Sequence, residues 1–364
     1  MTDKKVSIGC GLDCFDNCSM IATIENDRIS KIEGNKDHPL TQGFICIKGK
    51  KHLERLYHPD RILNPKKKIN DKWVDISYEE ALDEISNKLL FYRKEYGPES
   101  VLLFSSGGYL GLSKSVDEMF FNYYGGVTTG IGSLCLGAGK EAQRIDFGSN
   151  KEHQPQDILN AKTIIIWGRN PADTSIHLMN YIVEAKKRGS FIYVIDPIKT
   201  NTAKIATEYI SVKPGSDGAL ALGIANYIIE NNLTDNKFIS QNVAGYDQYK
   251  EYVQQFNLDY VQEITGIDKE VIIKLARSYA ENKPSSIYIG YGLQRYRNGG
   301  NNVRLIDALG AITGNIGISG GGVNYCNKTI RSQISSEVDK SEVVTPNRRT
   351  YTIGQFADFI LKVN

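Results

Sequence analysis

Two hydrophobic periods divide the chain. Near the amino end, Met20-Ile21-Ala22-Thr23-Ile24 and Arg28-Ile29-Ser30-Lys31-Ile32 alternate apolar and polar positions around Glu25-Asn26-Asp27. That period of two predicts a β-hairpin inside a small cysteine-bearing module, residues 1–60. Residues 61–76, with Pro65 and Lys66-Lys67-Lys68, read as a connector. From about residue 77 the pattern becomes mixed. Ser77 followed by Glu80 is a capping signature, opening a helix with Ala81, Leu82, Ile85, Leu89 and Leu90 on one face. Short, continuously apolar strands are predicted at 101–104, 163–167, 191–195, 209–212 and 286–289. Helices are predicted up to Tyr124 and near 174–188, 217–231, 235–242 and 268–282. Apolar strands alternating with helices imply a parallel sheet covered on both faces, an α/β class with doubly wound, Rossmann-like domains.

Composition narrows the function classes. A chain of 364 residues suggests two or three domains, and 41% hydrophobic with 24% charged residues is ordinary for a globular protein. Lys+Arg 44 against Asp+Glu 42 leaves a net charge of +2, so no global field recruits nucleic acid or an anionic membrane. No apolar run approaches the roughly 18–20 residues of a membrane span. The start, Met1-Thr2-Asp3-Lys4-Lys5-Val6, has no apolar signal region, and a cytoplasmic location is expected. In that compartment six cysteines argue for thiols, a metal site or catalysis before disulfides.

Cys10, Cys14 and Cys18 are each separated by three residues, and Cys46 follows after 27 intervening residues. Three thiolates in one loop and a fourth from a later turn suit a [4Fe–4S] cluster. Zinc accepts four thiolates too, although its knuckles usually hold a closer pair, and unliganded thiols are the third reading. Gly168-Arg169-Asn170-Pro171 directly follows a predicted buried strand, where glycine lets backbone amides approach a phosphate beside a helix N-terminus. Asp196 ends the next strand, where an acid can accept from a ribose or a guanine edge. Alone these are equally the features of a simple strand-to-helix turn. Cys135, in Gly132-Ser133-Leu134-Cys135-Leu136-Gly137, is a soft thiol or a small buried hydrophobe. Cys326 stands in no motif.

Cys46-Ile47-Lys48-Gly49-Lys50, Tyr57-His58-Pro59-Asp60-Arg61 and Trp73-Val74-Asp75-Ile76-Ser77-Tyr78-Glu79-Glu80 resemble the molybdenum/tungsten bis-pterin oxidoreductases of the dimethyl sulfoxide reductase family. Ile166-Trp167-Gly168-Arg169-Asn170-Pro171, Ile195-Asp196-Pro197, Lys213-Pro214-Gly215-Ser216-Asp217-Gly218, Gly290-Tyr291-Gly292-Leu293-Gln294-Arg295 and Thr313-Gly314-Asn315-Ile316-Gly317 follow in the family's order. The resemblance implies a [4Fe–4S] cluster on Cys10, Cys14, Cys18 and Cys46, with Lys48 between cluster and pterin. It implies molybdopterin guanine dinucleotide (bis-MGD) carrying Mo or W, ligated by Cys135. Gly168 and Asn170 would face the pyrophosphate of one dinucleotide; Asp196, Gly215 and Asp217 would serve the same molecule, and Gly290 and Gly292 the second.

The division that follows is 1–60 for the cluster module, 131–285 for the first dinucleotide, and a discontinuous 61–130 plus 286–364 for the second. The expected function is two-electron transfer between a small-molecule substrate and the cluster, onward to an electron-transfer protein or subunit. The rival is a non-catalytic iron–sulfur relay or assembly subunit on the same fold. The family's closing carboxy-terminal domain is absent from this sequence, which leaves three readings open: a split enzyme whose partner is a separate chain supplying it, a gene fragment, or a degenerate relative. Formate dehydrogenases of the family have a histidine directly after the metal-binding residue. Leu136 stands there instead, which disfavours formate oxidation.

Overall fold

The computed structural model describes residues 4–12, 14, 16–108, 116–325 and 348–362, so Cys326 lies outside the described residues. The chain forms two compact units, Met1–Gly132 with Ile334–Asn364, and Ser133–Gln333. In the first unit, β1 (Lys4–Gly9), β2 (Ser19–Glu25) and β3 (Arg28–Gly34) make an antiparallel sheet in that order. The predicted hairpin turns through Asn26 and Asp27 alone, both at positive φ, as a two-residue turn between twisted strands requires. Cys18, Met20 and Ile45 form its small core, with Ile8, Cys10 and Ile32 packed on it. Two short helices follow, α1 (Ile47–Lys50) and α2 (His52–Leu56). The expected connector is instead a second hairpin, β4 (Lys66–Ile69) and β5 (Lys72–Asp75), turning on Asn70-Asp71 at positive φ. A lysine run hides a strand because both faces of this ribbon are largely exposed.

Helix α3 (Tyr78–Tyr96) starts where the capping signature predicts, the Ser77 hydroxyl accepting from Glu80 N–H at 3.0 Å. Its apolar face is not a core face. Leu82, Ile85 and Leu90 are 61%, 55% and 59% exposed, and no residue of the helix is buried. Periodicity marks an apolar stripe without saying what covers it. Surface charge supports the helix meanwhile: Lys67 and Lys88 both reach Glu84 and hold its carboxyl down to about 2. Next come β6 (Leu102–Leu103), α4 (Val116–Tyr124) and β7 (Thr128–Ile131), with β6 and β7 parallel.

The second unit opens with α5 (Gly137–Phe147), then β8 (Thr163–Trp167), α6 (Pro171–Thr174), α7 (Ile176–Lys187), β9 (Phe191–Ile195), β10 (Glu208–Ile210) and α8 (Asp217–Glu230). Helices α9 (Asn236–Asn242), α10 (Tyr246–Val253), α11 (Leu258–Thr265) and α12 (Lys269–Glu281) lead to β11 (Ser285–Ile289), α13 (Gly299–Thr313) and β12 (Val323–Asn324). The sheet order is β10-β9-β8-β11-β12, all parallel. Each strand is apolar on both faces because each face has a cover. Ile165, Trp167, Tyr193 and Ile287 pack with Leu220 and Ile224 of α8, Leu275 of α12 and Ile306 of α13. Ile164, Ile166, Ile192 and Val194 pack with Leu178 and Ile182 of α7. The chain reaches β10 from β8 in one direction and β12 in the other. The winding therefore reverses between β8 and β11, leaving a crevice outside their carboxyl ends.

The tail returns to the first unit, where β13 (Thr350–Thr352) pairs in parallel with β7 and precedes α14 (Phe356–Lys362). The expected boundary at 285 is corrected by hydrogen bonding. Ser285–Ile289 pairs with Thr163–Trp167 along its whole length, so 286–325 belongs with the Rossmann-like unit. A buried apolar strand carries no mark in sequence of which neighbour it will choose. Among the described residues no helix is long and apolar enough to cross a membrane.

Leu220→Ala, at a fully buried position, is expected to cost about 3 kcal/mol in chemical denaturation of the chain. Leu82→Ala, on the bare stripe, is expected to stay within about 0.5 kcal/mol. Equal losses for the two would contradict the exposure of α3.

Candidate cofactor sites

The four amino-terminal cysteines gather at one end of the β1–β3 sheet. Cys10 and Cys18 are tied by a backbone hydrogen bond of 2.9 Å, and Cys14 sits in the turn between them. Cys46 is brought from afar as the N-cap of α1, its Sγ accepting from Gly49 N–H at 3.4 Å. Burial raises the Cys10 thiol, the neighbouring Cys18 and Cys46 raise it further, and Lys48 opposes them. Burial likewise pushes Cys14 up to about 11, against the pull of Lys48. The exposed Lys48 ammonium is thus within electrostatic reach of two thiols, the charge a thiolate-ligated cluster needs nearby. Among the described residues no three Cys, His, Asp or Glu side chains converge on a single-ion site. Three thiols from one loop and a fourth from the start of α1 match a cluster that offers a different iron to each. Sequence reasoning missed His52, whose Nε2 lies 3.4 Å from Cys10 Sγ. Its position in the helical turn after Cys46 was the available signal.

In the second unit, every residue assigned to a dinucleotide falls at the carboxyl edge of the sheet. Gly168 follows β8, Asp196 follows β9, Gly215 lies between β10 and α8, Asp217 begins α8, and Gly290 and Gly292 follow β11. Gly168 takes φ +60°, and a Cβ on Gly290 would lie 1.7 Å from the Gly168 carbonyl oxygen, so neither position admits a side chain without displacement. Gly292 faces open space. The two loops expected to serve different dinucleotides in different domains therefore meet at one crevice.

Several side chains of this edge are already engaged. Asn170 donates to Asp173 at 2.6 Å and accepts from the Thr202 hydroxyl at 2.6 Å, which fixes the loop and does not point the amide outward. Arg169 is turned inward, 3.6 Å from Glu152 and 5.8 Å from the Tyr288 ring centroid. Burial raises the Glu152 carboxyl, and Arg169 opposes it. Asp217 accepts from Trp167 Nε1–H at 2.8 Å. Burial raises its carboxyl, the Trp167 bond lowers it, and nearby Asp196 raises it again. Asp196, raised by burial, accepts from Ile198 N–H at 3.0 Å.

Cys135 is exposed, in the turn before α5, with its N–H donating to Ser133 Oγ at 3.2 Å. Leu136 beside it is buried. The helix that follows is anchored: Gln143 donates to Asp307 at 2.9 Å and to the Val323 carbonyl at 3.0 Å, while Arg304 donates to Asp146 at 2.8 Å. Burial raises the Asp307 carboxyl well above its usual range.

The family model for molybdopterin oxidoreductases matches residues 61–360, and that for the molybdopterin oxidoreductase Fe4S4 domain matches 4–58. The chain therefore belongs to the molybdopterin oxidoreductase family, whose two domains indicate a [4Fe–4S] cluster and a molybdopterin cofactor with Mo or W. It is 42% identical to the probable oxidoreductase YyaE of Bacillus subtilis (strain 168) across 94% of this chain and 50% of that protein. It is 32% identical to the putative dimethyl sulfoxide reductase chain YnfE of Escherichia coli (strain K12), covering 88% of this chain and 44% of that one. Among solved structures, acetylene hydratase from Pelobacter acetylenicus superposes with a TM-score of 0.71 at 30% identity, over 87% of this chain and 44% of that one. The chain spans about half the length of the curated relatives it matches. The donor set of the first unit and the open glycine edge of the second both fit the groups the family carries.

Because burial raises the Asp217 carboxyl, the folded state penalises its ionised form. The penalty is absent below the unfolded value, about 3.9, and complete above the folded one. Asp217→Asn keeps an acceptor for Trp167 and removes that penalty. Its melting temperature relative to the parent is expected to be higher at pH 7 than at pH 3; a pH-independent difference would refute the assignment.

Proposed function

We propose that this chain is the cluster- and pterin-binding part of a molybdenum- or tungsten-dependent oxidoreductase that exchanges two electrons between a small-molecule substrate and a [4Fe–4S] cluster. The observation that carries the reading is local to the second unit. The turn bearing Cys135 is hydrogen-bonded to the loop after β11, at the carboxyl edge where Gly168, Asp196, Asp217 and Gly290 lie. A thiol held beside a dinucleotide crevice is placed to ligate a metal carried by that dinucleotide.

When bound, the pterin-held metal supplies the two-electron redox chemistry, and the protein supplies orientation, insulation and tuning. Cys10, Cys14, Cys18 and Cys46 hold the cluster, and the Lys48 ammonium offsets its negative charge. Gly168 and Gly292 leave backbone open to a pyrophosphate, with the N-terminus of α8 at the same edge. Gly215 shapes the approach to that helix. Asp196 and Asp217 present carboxylates to a guanosine end. Asn170 acts by fixing the glycine turn. Gly290, whose loop abuts that of Gly168, belongs to the same crevice in this reading. Cys135 offers the metal a soft thiolate.

Relatives about twice as long, together with the bare stripe of α3, support a further partner. We assign that role to polypeptide equivalent to the rest of those relatives.

Metal analysis of the anaerobically purified chain with its partner tests the reading. Iron together with molybdenum or tungsten is expected. Iron alone would favour a relay subunit, and zinc alone would overturn both. Cys46→Ser is expected to lose most of the iron and the brown colour. Cys135→Ser is expected to keep its iron and lose the molybdenum or tungsten; unchanged content of either metal would remove Cys135 as the ligand.

A further inference from the structure

The helix after Cys135 begins without a cap of its own. Its N-cap residue, Leu136, makes no side-chain cap hydrogen bond. The first turn of a helix leaves N–H groups that need partners. Here the partner comes from the other end of the unit. Gln294, in the short turn Leu293–Arg295 after Gly292, is 4% exposed. Its Oε1 accepts from the N–H groups of Ala138 at 3.0 Å and Gly139 at 3.2 Å. Its Nε2 donates to the carbonyls of Leu134 at 3.3 Å and Cys135 at 3.1 Å. The four bonds straddle Cys135, two on the carbonyls at and before it and two on the helix that follows. Gln294 itself is held from behind, since a Cβ on Gly299 would lie 1.8 Å from its carbonyl oxygen.

We propose that Gln294 is the positioning residue of the Cys135 thiol, a cap supplied in trans that welds the thiol-bearing turn to the loop after β11. The inference rests on the proposed role of Cys135 as metal ligand and adds what aims it. A carboxamide suits this work because it carries donor and acceptor on one rigid group whatever the pH. The loop that borders the dinucleotide crevice and the turn that carries the ligand then move as one body.

Hydrogen exchange on the metal-free chain, read by mass spectrometry on peptides spanning 134–140, tests the proposal without any turnover. Gln294→Leu is expected to raise exchange at Ala138 and Gly139 about tenfold or more, with β8 unchanged, as loss of two buried hydrogen bonds implies. Gln294→Glu gives the sharper reading and serves if the leucine variant does not fold. Its protonated acid keeps one donor and one acceptor, so protection close to the parent is expected at low pH. As pH rises through the new carboxyl's pKa, the carboxylate faces the Leu134 and Cys135 carbonyls, and protection corrected for intrinsic rate is expected to fall. Parent-like protection in both variants, or a loss in Gln294→Glu that does not vary with pH, would overturn the proposal. A Cys135→Ser chain that keeps its molybdenum or tungsten would instead overturn the ligand reading and leave the exchange result standing.

Discussion

The second unit turns on the contact between two backbones, Gly168 at the end of β8 and Gly290 at the end of β11. These strands are hydrogen-bonded along their full length, and the chain winds away from them in opposite directions. Their turns leave the sheet touching, with no room for a side chain at 290. Everything at the carboxyl edge is laid out from that pair. Asp196 stands one strand over, Asp217 begins the helix beyond it, and the loop after Gly290 carries the side chain that reaches the Cys135 turn. A bulkier residue at position 290 would part the two central strands and displace each of these together.

Buried polar groups in this unit act as locks on geometry more than as sources of stability. Trp167 to Asp217, Arg169 to Glu152 and Gln143 to Asp307 each bury a carboxyl that water would hold more cheaply. The first and third tie a helix of the edge to a strand or helix of the core, and the second ties the loop after β8 to the loop that carries Glu152. Glycine turns need that help, because a loop open enough for a cofactor is free to sag. The scaffold does not dictate the reaction. One structural neighbour is by name a hydratase, while sequence relatives are by name oxidoreductases, so the chemistry must come from what occupies and surrounds the metal.

Much of this was legible in the residues. The hairpin at 19–34, the Ser77 cap and the apolar strands 163–167 and 191–195 follow from period and turn chemistry, and the ordered motifs pointed to the family. Pairing was not legible. β11 looks alike whether it joins one sheet or another, and only the ladder with Thr163–Trp167 shows that 286–325 lies with the Rossmann-like unit. The Lys66–Ile69 strand was hidden because a ribbon exposed on both faces has no apolar alternation to detect. The stripe of α3 was legible as one apolar face, but its exposure was not, since sequence encodes a preference for cover without naming it. Gln294 escaped because its bonds reach residues remote in sequence, for which a single chain carries no local sign; His52 escaped although its place in the helical turn after Cys46 offered one.

The second edge of β7 finds its partner only in β13: Thr129, paired on one side with Leu103 of β6, meets Thr350 on the other after the whole Rossmann-like unit has intervened. During synthesis the earlier strand leaves the ribosome and waits, edge unpaired, while the inserted unit acquires its own core. The order of assembly is thereby written into the topology: the insert can mature first and alone, and the sheet that brackets it closes last, at the entropic cost of a very long loop.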